Sequence, residues 1–111
     1  MPLALRAFSA VAVLALAGCG GAPLPACPDA GTALTYQNFG IGFMAGYCIE
    51  CHGSGRTEKG LILTTPGAVR GHSEAVNAES GTGSAMPPRG SPLPSAAERA
   101  QLVEWLSCGA P

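Results

Sequence analysis

The run Cys48-Ile49-Glu50-Cys51-His52 puts two thiols and an imidazole inside five residues of a 111-residue chain. Three chemistries use such a group. A zinc ion takes thiolates and imidazoles in a tetrahedral set, a redox pair cycles between dithiol and disulfide, and a haem can be bonded through both thiols with the imidazole on its iron. Zinc needs four ligands, commonly from two such pairs, and this chain has a single C-x-x-C. Adding His72 makes four donors on paper, but Cys51 and His52 are neighbours whose side chains diverge on a helical turn. A redox pair wants a βαβ context, and no β-branched strand pattern precedes Cys48.

Haem uses all three residues as they stand. The thiols of Cys48 and Cys51 can add to the two vinyl groups of protoporphyrin, and the next residue, His52, can reach the iron. Adjacency of Cys51 and His52 is then a requirement. With C-x-x-C-H matched in full, the chain resembles the class I c-type cytochromes, and the resemblance runs over residues 27–111. It implies an all-α fold, the small cytochrome c fold, in which N- and C-terminal helices cross and loops wrap one covalently bound haem c. It also implies a single-electron carrier and not an enzyme, with protein redox partners as donor and acceptor. An extra cysteine pair and a middle region without a second long helix depart from that family's pattern.

A six-coordinate iron needs a distal ligand. Met1 is lost with an N-terminal signal, and Met44 sits one helical turn before Cys48, too near to reach the far face of a haem. Met86 remains, in Ser84-Ala-Met-Pro-Pro-Arg89, a Met-Pro loop after the histidine of the kind the resemblance implies for the distal residue. The prolines fix φ and remove backbone donors, stiffening the loop. The blander reading of Met86 is a gap-filling core residue. His72 is the rival ligand, on a short amphipathic helix within residues 68–79 that carries Val69 and Val76 on one face. Arg56, Lys59 and Arg89 are candidates for the haem propionates or are solvated surface charges. Two other functions stay open: a haem enzyme or a gas or redox sensor whose distal site is open or displaceable, and a cytochrome subunit of a larger oxidoreductase.

Covalent haem attachment takes place outside the bacterial cytoplasm, and the chain carries an export pattern. Residues 1–18 show one early positive charge at Arg6 and an apolar run from Ala7 to Ala17, about half the length a bilayer-spanning helix needs. Leu16-Ala17-Gly18-Cys19 resembles the lipobox of bacterial lipoproteins, which implies cleavage before Cys19 and a diacylglycerol on its thiol. Ordinary secretion with Cys19 as a free thiol or a disulfide partner is the plain alternative. The lipid would anchor the domain to the periplasmic side of a bacterial membrane without a protein span. Gly20 lacks the aspartate that often marks inner-membrane retention, which favours the outer membrane. Residues 19–26 mix Gly and Pro and read as a tether.

Five cysteines then divide among three jobs. With Cys19 lipidated and Cys48 and Cys51 in the haem motif, Cys27 and Cys108 are left over in an oxidising compartment, where leftover thiols pair. A Cys27–Cys108 disulfide would close a loop of about 80 residues and contribute ~4 kcal/mol in the chain-entropy model. Without Arg6 the chain keeps five basic against seven acidic side chains, and no basic patch interleaved with aromatics suggests nucleic acid as a partner. The expected state is a monomer.

Two helices must position these groups. Tyr36, Phe39, Phe43 and Tyr47 recur at helical spacing behind Thr35 as N-cap, and three glycines in that stretch each cost roughly 1 kcal/mol relative to alanine. Such a cost suggests a close approach. At the other end, Ser95 and Glu98 form a capping box, Leu102, Trp105 and Leu106 make an apolar stripe, and Gly109 supplies the stop. The resemblance to the c-type cytochromes implies that these helices cross with a glycine at the contact, which assigns the crossing to Gly40, where Trp105 could cover it. Leu61-Ile62-Leu63 is the one dense apolar cluster in between, a candidate haem wall or a short extended core segment.

Overall fold

Thr35 opens the first helical segment with a reciprocal cap. Its extended backbone, φ −128° and ψ 167°, lets Oγ1 accept from the Asn38 N–H at 3.1 Å, while Asn38 Oδ1 accepts from the Thr35 N–H at 2.7 Å. Asparagine here does the work usually given to Glu or Gln at the third helical position. The structure, a computed structural model, describes residues 23–111. The expected signal peptide, Cys19 and the first half of the tether lie outside the described residues. After the cap the chain passes through a wide π-helical turn, Tyr36–Gly40, into α1, Ile41–Tyr47.

Two further short helices follow a single 3-10 turn, Glu58–Gly60: α2, Pro66–Gly71, and α3, Ser73–Val76, which runs into a π-helical turn, Asn77–Gly81. The last and longest is α4, Ala96–Ser107. Helices are the only regular elements among the described residues, whose single β-type pairing is an isolated bridge between His52 and Thr57. The fold class is therefore all-α. None of the described helices is long and apolar enough to cross a membrane.

Helix α4 begins on the capping box read from sequence: Ser95 Oγ accepts from the Glu98 N–H at 3.1 Å and Glu98 Oε2 accepts from the Ser95 N–H at 2.7 Å. It ends where Gly109 turns to φ +89°, a left-handed conformation that glycine adopts without steric cost. Leu102, Trp105 and Leu106 are fully buried and meet Phe43, Met44, Leu63, Val69 and Val76 in one core. A Cβ built on Gly40 would sit 2.6 Å from two ring atoms of Trp105, so the indole occupies the space that any side chain there would need. Tyr36 and Phe39 flank the same ring at centroid distances of 6.4 and 5.8 Å. Trp105 Nε1 donates to the Pro111 carbonyl at 3.1 Å, which satisfies its buried polar edge.

The stretch over residues 68–79 is not one helix. The backbone leaves helical geometry at His72, φ −121° and ψ 19°, directly after Gly71, and across the bend the Ser73 hydroxyl donates back to the carbonyls of Val69 and Arg70, at 3.3 and 3.0 Å. Val69 and Val76 are nonetheless both buried. The break turns His72 out to solvent. At the ends of the described chain, the sulfurs of Cys27 and Cys108 lie 1.98 Å apart, a bonded pair 81 residues apart in sequence that ties the start of the domain to the end of α4.

Substituting Gly40→Ala should destabilise the protein by about 1–3 kcal/mol, because the methyl group must displace a fully packed indole. A urea unfolding midpoint equal to that of the native protein would show that Trp105 can move aside.

Candidate functional site

The C-x-x-C-H run forms a tight turn on the end of α1. The Cys48 and Ile49 N–H groups donate to the Met44 carbonyl at 2.9 and 3.0 Å, and the Cys51 and His52 N–H groups donate to the Cys48 carbonyl at 3.3 and 2.9 Å. Gly53 is buried directly against the Ile49 carbonyl, where a Cβ would collide with the backbone. The following loop closes back on this turn: the Glu58 N–H donates to the Cys51 carbonyl at 2.9 Å and the Leu63 N–H to the His52 carbonyl at 2.8 Å. Leu61 and Leu63 are thereby set beside the motif, and Ile62 between them points outward, 41 % exposed.

A cavity of about 510 Å³ opens beside this turn. Cys48, Cys51, His52 and Met86 all line it, with Leu61, Leu63 and Val76 as apolar wall. Its size falls in the range of about 300–1,000 Å³ typical of small-molecule and cofactor pockets. His52 Nδ1 lies 3.3 Å from the Leu61 carbonyl, which can only accept, so the ring proton belongs on Nδ1 and Nε2 keeps its lone pair. Cys48 and Cys51 are free thiols in this arrangement. Burial pushes the Cys48 thiol up to about 11, away from the depressed values of thiols that react in redox exchange.

Met86 sits on the loop between the π-helical turn and α4. Its N–H donates to the Glu79 carbonyl at 2.8 Å, and its side chain is 38 % exposed while Pro87 beside it is buried. His72 lies elsewhere, in a separate open groove of about 710 Å³ with Arg70, Glu74, Leu24 and Leu106. Met44 is packed in the core. Arg56 and Lys59 reach the cavity rim, with Arg56 paired to Glu58 at 2.8 Å on the surface, whereas Arg89 does not line it. Among the described residues no three His, Cys, Asp or Glu side chains gather as a metal-holding cluster, so the four-donor set that zinc requires is not assembled.

The cavity also uses a residue that sequence reasoning assigned only to an apolar stripe. Tyr47 lines it, and the phenol donates to Glu98 at 3.0 and 3.1 Å from the two carboxylate oxygens. A half-buried tyrosine hydroxyl needs a polar partner, and that requirement was the available signal. No family model matches this chain, and no curated protein or solved structure matches it either.

Glu98 lies below its ordinary value of 4.5, chiefly through its hydrogen bond with the Ser95 backbone and then through the Tyr47 hydroxyl. A carboxyl whose folded value is depressed stabilises the fold above its unfolded value and loses that contribution as pH falls through the folded one. Stability should therefore drop as pH falls from about 4.5, the ordinary value, and Glu98→Gln should flatten that part of the profile. Unfolding midpoints measured across this window would reveal the opposite if both proteins lost stability in parallel.

Proposed function

We propose that this chain is a single-electron carrier built around one covalently attached haem c, with Cys48 and Cys51 as thioether attachment points and His52 and Met86 as axial ligands. One observation supports this above the others: a single cavity collects all four residues and leaves His72 outside. When bound, the haem supplies a one-electron ferric–ferrous couple. Every other part of the function falls to the chain. The turn on α1 sets both thiols in the wall of the cavity, and the Leu61 carbonyl holds the neutral His52 ring in the tautomer that offers Nε2. Leu61, Leu63 and Val76 give the cavity an apolar wall, which lowers the local dielectric on that side. Met86 contributes a neutral, soft sulfur, which favours the reduced state over a second imidazole.

The N-terminal pattern supports the rest of the reading. Export brings the thiols to the compartment where haem is attached, and lipidation of Cys19 would hold the domain, as a monomer, at the periplasmic side of a bacterial membrane, the outer one favoured. Protein donors and acceptors reach it there. A fold of the small cytochrome c type is part of the same proposal, supported by the crossing at Gly40 and Trp105.

A second reading, a haem protein that binds gas or peroxide after its distal ligand leaves, is favoured by one observation, the exposure of Met86. The spectrum separates the two. The carrier shows a ferric near-infrared sulfur-to-iron band and no carbon monoxide binding in its reduced form. In Met86→Ala the band should vanish, and in His72→Ala it should be unchanged. A native protein that lacks the band and has a low-spin spectrum kept in Met86→Ala but lost in His72→Ala would transfer the distal role to His72, and rapid carbon monoxide binding by the native protein would favour the sensor.

A further inference from the structure

The Met86 side chain is poorly held by packing, because more than a third of it is exposed. Its backbone must therefore fix where the sulfur can go. Pro87 and Pro88 follow and have no N–H to offer. Two hydrogen bonds remain: the Met86 N–H to the Glu79 carbonyl at 2.8 Å, and the Met86 carbonyl, which accepts from Arg99 Nη1 at 3.0 Å. The same nitrogen also donates to the Ser80 carbonyl at 2.8 Å. Ser80 and Met86 are the two ends of the loop segment that borders the cavity, and both line it. Arg99 does not line it, so the guanidinium works from behind the loop.

We propose that Arg99 is a positioning residue for the distal ligand: it clamps both ends of the 80–86 segment to α4 and so sets the strength with which Met86 competes for the site. This rests on the haem reading with Met86 as ligand. The guanidinium offers several N–H donors in a rigid planar fork, and hydrogen bonds from a charged donor to carbonyls are stronger than neutral ones. It stands on the first turn of a helix that is itself fixed by the Ser95–Glu98 box and by the buried Leu102 and Trp105. A loop tied to that anchor returns Met86 to one place. Untied at Arg99, Met86 itself keeps only its N–H bond to the Glu79 carbonyl, and the rest of the segment is held through Thr82 and Gly83 to Asn77.

The test uses the haem-loaded protein and exogenous imidazole, which competes with a methionine sulfur for ferric iron. In Arg99→Ala the imidazole affinity should rise roughly tenfold, the scale on which charge-assisted hydrogen bonds contribute in water, and the sulfur-to-iron band should weaken. Arg99→Lys, with an ammonium that keeps the charge and can reach one carbonyl, should fall between the two. Thr65→Ala, which removes the cap of α2 and leaves the loop untouched, controls for lost stability alone and should leave imidazole affinity unchanged. Equal affinity in native protein and Arg99→Ala overturns the proposal, as does an equal rise in Thr65→Ala. If Arg99→Ala does not load haem, the lysine variant decides on the same criterion. A haem-loaded native protein without the sulfur-to-iron band overturns the Met86 reading and this proposal with it, whereas a native band with unchanged variants overturns this proposal alone.

Discussion

The contact between the Trp105 indole and the bare backbone at Gly40 is the constraint on which the rest of this structure depends. A short chain with few aromatics has little apolar surface to bury, and this crossing sets Tyr36 and Phe39 against one ring and brings Phe43, Leu102 and Leu106 into the same core. The close approach of the two helical segments is possible only because position 40 has no side chain. Once they cross, the C-terminal end of α1 is fixed relative to the first turn of α4. The Cys27–Cys108 pair and the Pro111 carbonyl, which accepts from Tyr36 N–H as well as from the indole, fasten the outer end of the same crossing.

What could be read from the sequence were features written in local spacing. Thr35 and Ser95 as caps, the stripe on α4 and the glycine stop at Gly109 follow from residue types at fixed offsets, the Gly40–Trp105 contact was expected only through the family resemblance, and the structure shows each of them. The break at His72 was not legible, because the valine pattern on either side of it is that of a continuous helix. The bend follows Gly71 and is spanned by a serine hydroxyl that donates to backbone carbonyls one turn back, local features with no periodic signature. The π-helical turn at Tyr36–Gly40 escaped for a related reason: the same apolar spacing suits a slightly wider helix.

The site was legible in part. The C-x-x-C-H run names its own residues, and the placement of Met86 in the same cavity, with His72 in another, is geometry that no spacing rule contains. The cavity wall was half legible: Leu61 and Leu63 face it and Ile62 does not, as alternation along an extended segment requires. The polar groups that brace the cavity were not legible at all. Glu98 read only as a capping residue and Arg99 drew no assignment, and each has a long-range partner that appears only when segments far apart in sequence come to rest on α4.

Those two adjacent residues give the first turn of α4 a double role. Glu98 accepts from the hydroxyl of Tyr47, the residue just before Cys48, and Arg99 donates to the carbonyl of Met86. One side of the cavity is thus tied to position 98 and another to position 99 of a single rigid turn. The spacing between the thiol-bearing turn and the methionine loop is therefore not left to the loops themselves, whose few apolar contacts would let them drift. It is set by consecutive side chains on a helix anchored in the core by Leu102 and Trp105. For a site that must present two ligands to one iron, as proposed, such an arrangement makes coordination geometry a property of the helix crossing. The loops then need to supply only the sulfur and a dry wall.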